Sequence, residues 1–137
     1  AGFDPSTPTA WSAEGLLPYL PPAAQDQLFE RILELSAAGS RIAAETLSPS
    51  AFDPDYLERG RQFLGGDGPD LPELLFKEER ADLQQWLADH DWAVTAIEGL
   101  ELMRRFDRMP ADHLMELAPR SVFIEGRLHA TARAEIR

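Results

Sequence analysis

The stretch Pro8 to Pro22, PTAWSAEGLLPYLPP, decides how the rest of the chain is read. Thr9 to Ala13 is a short, apolar-rich run that predicts a strand ending at Glu14-Gly15. A loop carrying Leu16, Leu17 and Tyr19 follows. The Pro21-Pro22 pair closes it and opens a helix, because proline fixes φ and its missing N–H costs nothing in a first helical turn. A carboxylate and a glycine at the carboxyl end of a strand, just before a helix, stand where open α/β sheets hold their ligands. Many strands end in Glu-Gly, so the placement alone assigns no chemistry.

Working outward, Ala24, Leu28, Ile32 and Leu35 recur at helical spacing, widened by Phe29 and Leu33, and predict a helix over Ala23 to Ala38 that Gly39 closes. Arg41 to Thr46 reads as a second strand, in which Ala43 and Ala44 leave room for close packing on both faces. Ser48 to Pro72 then gathers Pro49, Pro54, Pro69 and Pro72 with Gly65, Gly66 and Gly68. Within it, Tyr56 to Leu64 can form two turns of helix. Ala81 to Asp89 is helical through Leu83, Trp86 and Leu87. Asp91 stands at a turn, before a strand in which Trp92, Val94 and Ala96 alternate. Gly99 to Phe106 predicts one more short helix, and Met109 to Pro119 a mixed connection. From Val122 to Thr131 the period of two is clearest, which predicts the longest strand. No internal repeat is present.

Composition narrows the function. The chain has 137 residues, enough to bury a core of its own, and 44% of them are hydrophobic. A formal net charge of −11 argues against nucleic acid and against anionic membrane surfaces, both of which need a basic face. No run approaches the roughly 20 apolar residues of a membrane helix, and no charged-then-apolar leader stands at the start. With no cysteine, disulfides, thiol catalysis and thiolate metal sites are all excluded. His90, His113 and His129 share no ligand spacing, so no metal site is expected. Neither a nucleophile elbow nor a phosphate loop is present. A soluble, cytoplasmic protein is the expectation.

The run AEGLLPYLPPAAQDQLFERILELSAAGSRIAAE, Ala13 to Glu45, resembles the central segment of bacterial S-adenosylmethionine-dependent methyltransferases related to leucine carboxyl methyltransferase, a group common in mycobacteria and other actinobacteria. AGFDPSTPTAW (Ala1 to Trp11), DLQQWLADHDWAVT (Asp82 to Thr95) and SVFIEGRLHATAR (Ser121 to Arg133) fit the same pattern. Leu47 to Leu75 is least like it, and Asp91 stands where the family commonly has glycine before the tryptophan. The resemblance implies an α/β fold: the carboxyl-terminal half of a Rossmann-like, doubly wound methyltransferase sheet from its fourth strand onward, with the last strands antiparallel. It also implies one unit over residues 1–137 with an insertion or lid at about 48–80. The glycine-rich turn and ribose-binding acidic residue of such enzymes are not recognisable. Gly65, Gly66 and Gly68 have no strand before them.

The same resemblance implies S-adenosyl-L-methionine as cofactor, held in part by Glu14, whose carboxylate would accept from the methionine ammonium, and by Gly15, which lets the backbone approach the ligand. Leu16, Tyr19 and Glu45 are the expected substrate-pocket residues; a solvated glutamate, a simple turn glycine and core packing of Leu16 are the plain alternatives. No catalytic residue is assigned. The resemblance implies a carboxylate on a small molecule or peptide end as acceptor, and the lack of an obvious general base does not count against it, because a carboxyl group with a pKa of about 4 is already ionised at neutral pH. Arg41, Arg59, Arg61, Arg80, Arg104 and Arg105 are candidate anchors for it that the sequence does not rank. The second expectation is a non-catalytic module that associates with itself or a partner through an exposed edge strand. The third is a piece of a larger enzyme.

Overall fold

Strand β1 (Ala10–Ala13) leads through a single 3-10 turn at Leu17–Tyr19 into helix α1 (Pro22–Glu34), which returns the chain to β2 (Arg41–Leu47), parallel to β1. In the computed structural model, residues 2–63, 65 and 71–129 are described. Helices α2 (Pro54–Phe63) and α3 (Leu71–Leu74) follow, then α4 (Leu83–Asp89), β3 (Trp92–Glu98), α5 (Gly99–Arg105) and β4 (Ser121–Leu128). The sheet order is β1-β2-β4-β3, and β4 pairs antiparallel with both β2 and β3. The expected α/β class and antiparallel final strands are therefore observed. At eight residues, β4 is the longest strand among the described residues, as its alternation predicts. The expected continuation to Thr131 is not met at His129, which lies past the strand's end, and Ala130 and Thr131 lie outside the described residues.

One face of the sheet is covered. Phe29 and Ile32 of α1 and Leu83 and Leu87 of α4 pack on Ala13, Ile42, Ala44, Trp92, Ile124 and Leu128, all buried. Alternation in β2 explains the split: Ile42 and Ala44 point into this core, while Arg41 and Ala43 are exposed on the other face. The small Ala13 and Ala44 let the helices sit close. Asp82 caps α4 by accepting from the Gln85 N–H at 2.8 Å, a bond worth about 1 kcal/mol. Asp91 takes the left-handed conformation at φ 64°, as the turn before β3 requires.

Two local readings of α1 are corrected. Helix α1 stops at Glu34, short of Ala38, because the buried Ser36 hydroxyl donates to the Ile32 carbonyl and accepts from the Trp11 indole N–H. These bonds turn the chain before Gly39. Gly39 itself, at φ 84°, donates its N–H to the Leu128 carbonyl. On α1 the polar Gln25 is buried, whereas Ala24 is only half-buried. Helix α2 buries none of its residues, and Phe63 is exposed. Tyr56 instead tethers α2 to the start of β4: its hydroxyl donates to the Ala118 carbonyl and the Arg120 guanidinium lies 4.1 Å from its ring centre. The expected insertion at 48–80 thus contains α2 and α3, while Leu64, Gly66 and Gly68 lie outside the described residues.

Candidate functional site at the carboxyl edge of the parallel strands

Pairing of Ala13 with Ala44 places Glu14 and Glu45 level with each other, just past the end of β1. Gly15 then turns with φ 61°, a conformation that glycine adopts without steric cost. Its N–H donates to Glu45 Oε2 at 3.0 Å, and Glu45 Oε1 accepts from the Ser121 hydroxyl. One half-buried carboxylate therefore joins the end of β1, the body of β2 and the first residue of β4. A β-carbon added at Gly15 would meet nothing within 4 Å, so the backbone here is open to an approaching ligand. Glu14 is exposed, with Oε1 accepting from the Ser12 hydroxyl at 2.9 Å.

Leu16 and Tyr19 stand on the same loop and are 40% and 45% exposed, while Leu17 and Pro18 between them are buried. In a 3-10 turn residues three apart lie on one side, so the apolar pair faces outward together. Glu45 is engaged with the loop backbone and β4. Ser121, which completes the bridge, carries no sequence signal beyond its place at the start of an alternating run.

A trough of about 740 Å³ crosses the open face of the sheet. Of the five residues expected in the site, Glu14 lines it, beside Arg41, Ala43, Phe123 and Glu125 of the sheet and Arg105 of α5. The Glu14–Gly15 turn, where the sequence places the candidate ligand site, stands at the rim of the trough.

The candidate arginines now separate. Arg80 directs two nitrogens inward to four neutral oxygens. Arg61 pairs with Glu58, and both Arg104 and Arg105 with Glu101. These bonds hold Glu58 and Glu101 below the usual carboxylate range, the Arg61 and Arg104 hydrogen bonds being the main causes. Arg41 faces Glu125 at 3.4 Å.

Removing the Glu45 carboxylate tests the bridge. Glu45→Ala is expected to speed exchange of the Gly15 amide and lower stability by about 0.5–1.5 kcal/mol. Glu45→Gln retains most of both, because its amide oxygen still accepts from Gly15 while its NH2 donates to Ser121. Amide exchange at Gly15 and a denaturant midpoint measure the two effects.

A parallel β-α-β unit with a carboxylate and a positive-φ glycine at its carboxyl edge, closed by antiparallel strands, has the architecture expected of a segment of a Rossmann-like methyltransferase. The sequence profile of the leucine carboxyl methyltransferase family matches residues 1–33. Three mycobacterial proteins, each named "Putative S-adenosyl-L-methionine-dependent methyltransferase", are similar along most of the chain. The protein of Mycobacteroides abscessus is 48% identical over 135 residues, covering 90% of this chain and 43% of its own length. That of Mycolicibacterium paratuberculosis is 44% identical over 136 residues, covering 90% and 42%. That of Mycobacterium marinum is 43% identical over 136 residues, covering 90% and 44%. The resemblance read from the sequence is thus shown, as the match of residues 1–33 to the leucine carboxyl methyltransferase family and as 43–48% identity to these relatives over 90% of the chain. It spans about two fifths of the length of the curated relatives it matches.

Proposed function

We propose that this chain forms part of an S-adenosyl-L-methionine-dependent O-methyltransferase that methylates a carboxylate on a small molecule or a peptide end, in the cytoplasm. The observation that carries the reading is the joint one of 48% identity to a protein named "Putative S-adenosyl-L-methionine-dependent methyltransferase" and the Glu14-Gly15 turn, open and held at the carboxyl edge of the sheet. The absence of cysteine and the net charge of −11 accord with the location. Among the described residues, no helix is long and apolar enough to cross a membrane.

The residues present fit one end of the cofactor. Glu14 offers an exposed carboxylate to the methionine ammonium, and Gly15 leaves space for the ligand to lie against the backbone. Bound there, the cofactor supplies a methyl group on a sulfonium. The chain's own share is to hold the turn rigid through Glu45 and to present Leu16 and Tyr19 as an apolar wall that excludes water from the acceptor side. Aligning two reactants in this way is catalysis by proximity and orientation.

Titration calorimetry with S-adenosylhomocysteine tests the reading. It compares this chain with the same chain joined to the portion of the M. abscessus relative that lies outside the matched span. The glycine-rich turn and ribose carboxylate, unrecognisable in this sequence, are each worth about 1–3 kcal/mol. The joined protein is therefore expected to bind more tightly by about thirtyfold or more. Absence of heat from both proteins would sink the proposal.

A second reading is favoured by the position of β1 at the edge of the sheet, with the face carrying Ala10, Ala43 and Phe123 forming the trough. A non-catalytic module could pair that edge with a second copy or with another chain, its acidity selecting basic partners. Sedimentation at a single monomer mass over a wide concentration range, with no partner bound, would count against it.

A further inference from the structure

We propose that Arg80 is a positioning residue of the candidate site: it fixes the loop 16–20 through backbone carbonyls and so sets where Leu16 and Tyr19 stand, without itself meeting a ligand. The role given to those two side chains rests on the function proposed above. How the loop is held does not.

The loop is short of hydrogen-bond donors. Pro18, Pro21 and Pro22 supply carbonyl oxygens but no N–H, and only the Tyr19 and Leu20 amides close bonds within the turn, to Leu16 and Leu17. The segment 76–80 makes up the deficit. Arg80 Nη1 donates to the Leu17 carbonyl at 2.7 Å and to Gln25 Oε1 at 3.1 Å. Its Nη2 donates to the Leu20 carbonyl at 3.1 Å and to the Phe76 carbonyl at 2.9 Å. The Phe76 N–H donates to the Pro18 carbonyl at 2.9 Å. Three carbonyls of the loop, those of Leu17, Pro18 and Leu20, are thereby met from one segment.

The cluster is also tied to the core. Gln25, only 2% exposed, uses its oxygen for Arg80 and its amide nitrogen for the Ala81 carbonyl, so α1 locks the segment in place. All four acceptors of Arg80 in this cluster are neutral. Its charge strengthens these bonds, and its planar fork reaches four acceptors at fixed angles, which the single ammonium of lysine cannot do. Fixing the carbonyls of Leu17 and Leu20 turns one side of the 3-10 turn inward and leaves Leu16 and Tyr19, three residues apart, on the other. The end of the segment that the resemblance implies is an insertion or lid thus serves as the foundation of the acceptor-side wall.

Residue-resolved amide exchange on the 137-residue chain, with Arg80→Met and Arg80→Lys beside it, tests this directly. The expected result for Arg80→Met is exchange at the amides of Tyr19, Leu20 and Phe76 faster by tenfold or more, with the β2 and β4 amides unchanged. Arg80→Lys should fall between, nearer to Arg80→Met. Gln25→Ala, which removes one of the four acceptors, should give a smaller change at the same three amides. Unchanged loop amides would overturn the proposal. So would full restoration by lysine, which would make charge alone sufficient. Loss of protection spread evenly over β2 and β4, or failure of both Arg80 variants to fold, would make Arg80 a general stabiliser and would overturn it as well. No ligand enters the measurement, so silence in the calorimetric titration bears on the proposed function and leaves this result standing.

Discussion

Phe29→Ala is expected to lower the free energy of unfolding by about 3–5 kcal/mol, read as a fall in the denaturant midpoint at unchanged slope. Phe29 is 2% exposed and lies at the centre of α1, with its ring 6.1 Å from that of Trp86 on α4 and tilted by 53°. Truncation therefore removes apolar area from the contact that joins the two helices covering the sheet. It also leaves a cavity in the buried cluster that Phe29 shares with Ile32, Leu83 and Leu87. Domains of this size are stable by about 5–15 kcal/mol, so the loss is a large fraction of the total. The control is Phe63→Ala, at a ring that is 63% exposed, which should stay within about 0.5 kcal/mol.

That contrast marks how far the sequence was legible. Phe29 and Ile32 recur at helical spacing and are core; Tyr56, Leu57, Phe63 and Leu64 also suit a helix, yet α2 buries none of its residues. Periodicity reports which residues share a face of a helix, and only tertiary contacts decide whether anything covers that face. The strands were more readable, because alternation in β4 and the turn at Asp91 are set by local geometry. The end of α1 was not, since it depends on Ser36 bonding Trp11 and Ile32, a side-chain choice with no signature in the local pattern.

The candidate site divides in the same way. Glu14 and Gly15 are visible in sequence because a strand end and a turn glycine are local features. Their partners are not. Glu45 lies 30 residues from Gly15 and 76 from Ser121, and Arg80 lies 63 from Leu17. Those bonds exist only once β2 is paired with both neighbours and the segment before α4 has docked on α1. Among six arginines of equal sequence rank, four hydrogen bonds to neutral oxygens are what set Arg80 apart.

Gly126→Ala should destabilise the fold by about 1–3 kcal/mol through overpacking. Its added β-carbon would stand 2.9 Å from Ile42 Cγ2 and 3.3 Å from Trp92 Cε3. Neither neighbour yields easily. Ile42 is β-branched and stiff about χ1, it is 1% exposed, and Trp92 at 3% exposure is walled in by the same core. Gly126 sits where β4 is paired with Ile42 on one side and Val94 on the other, so the strand cannot retreat from the clash without breaking both ladders. Gly15→Ala makes a useful comparison, because its cost has a different origin. There the added carbon meets open space, and the left-handed backbone alone costs about 1–2 kcal/mol. The double substitution Ile42→Ala with Gly126→Ala separates the two kinds of strain. Ile42→Ala removes the Cγ2 atom that Gly126→Ala would strike. The pair is therefore expected to be less destabilising than the sum of the single changes by about 0.5–3 kcal/mol, whereas Ile42→Ala with Gly15→Ala should be additive. Additivity in the first pair would mean that β4 accommodates the methyl by shifting as a unit, and that close contact across Gly126 does not hold the register of the central strands.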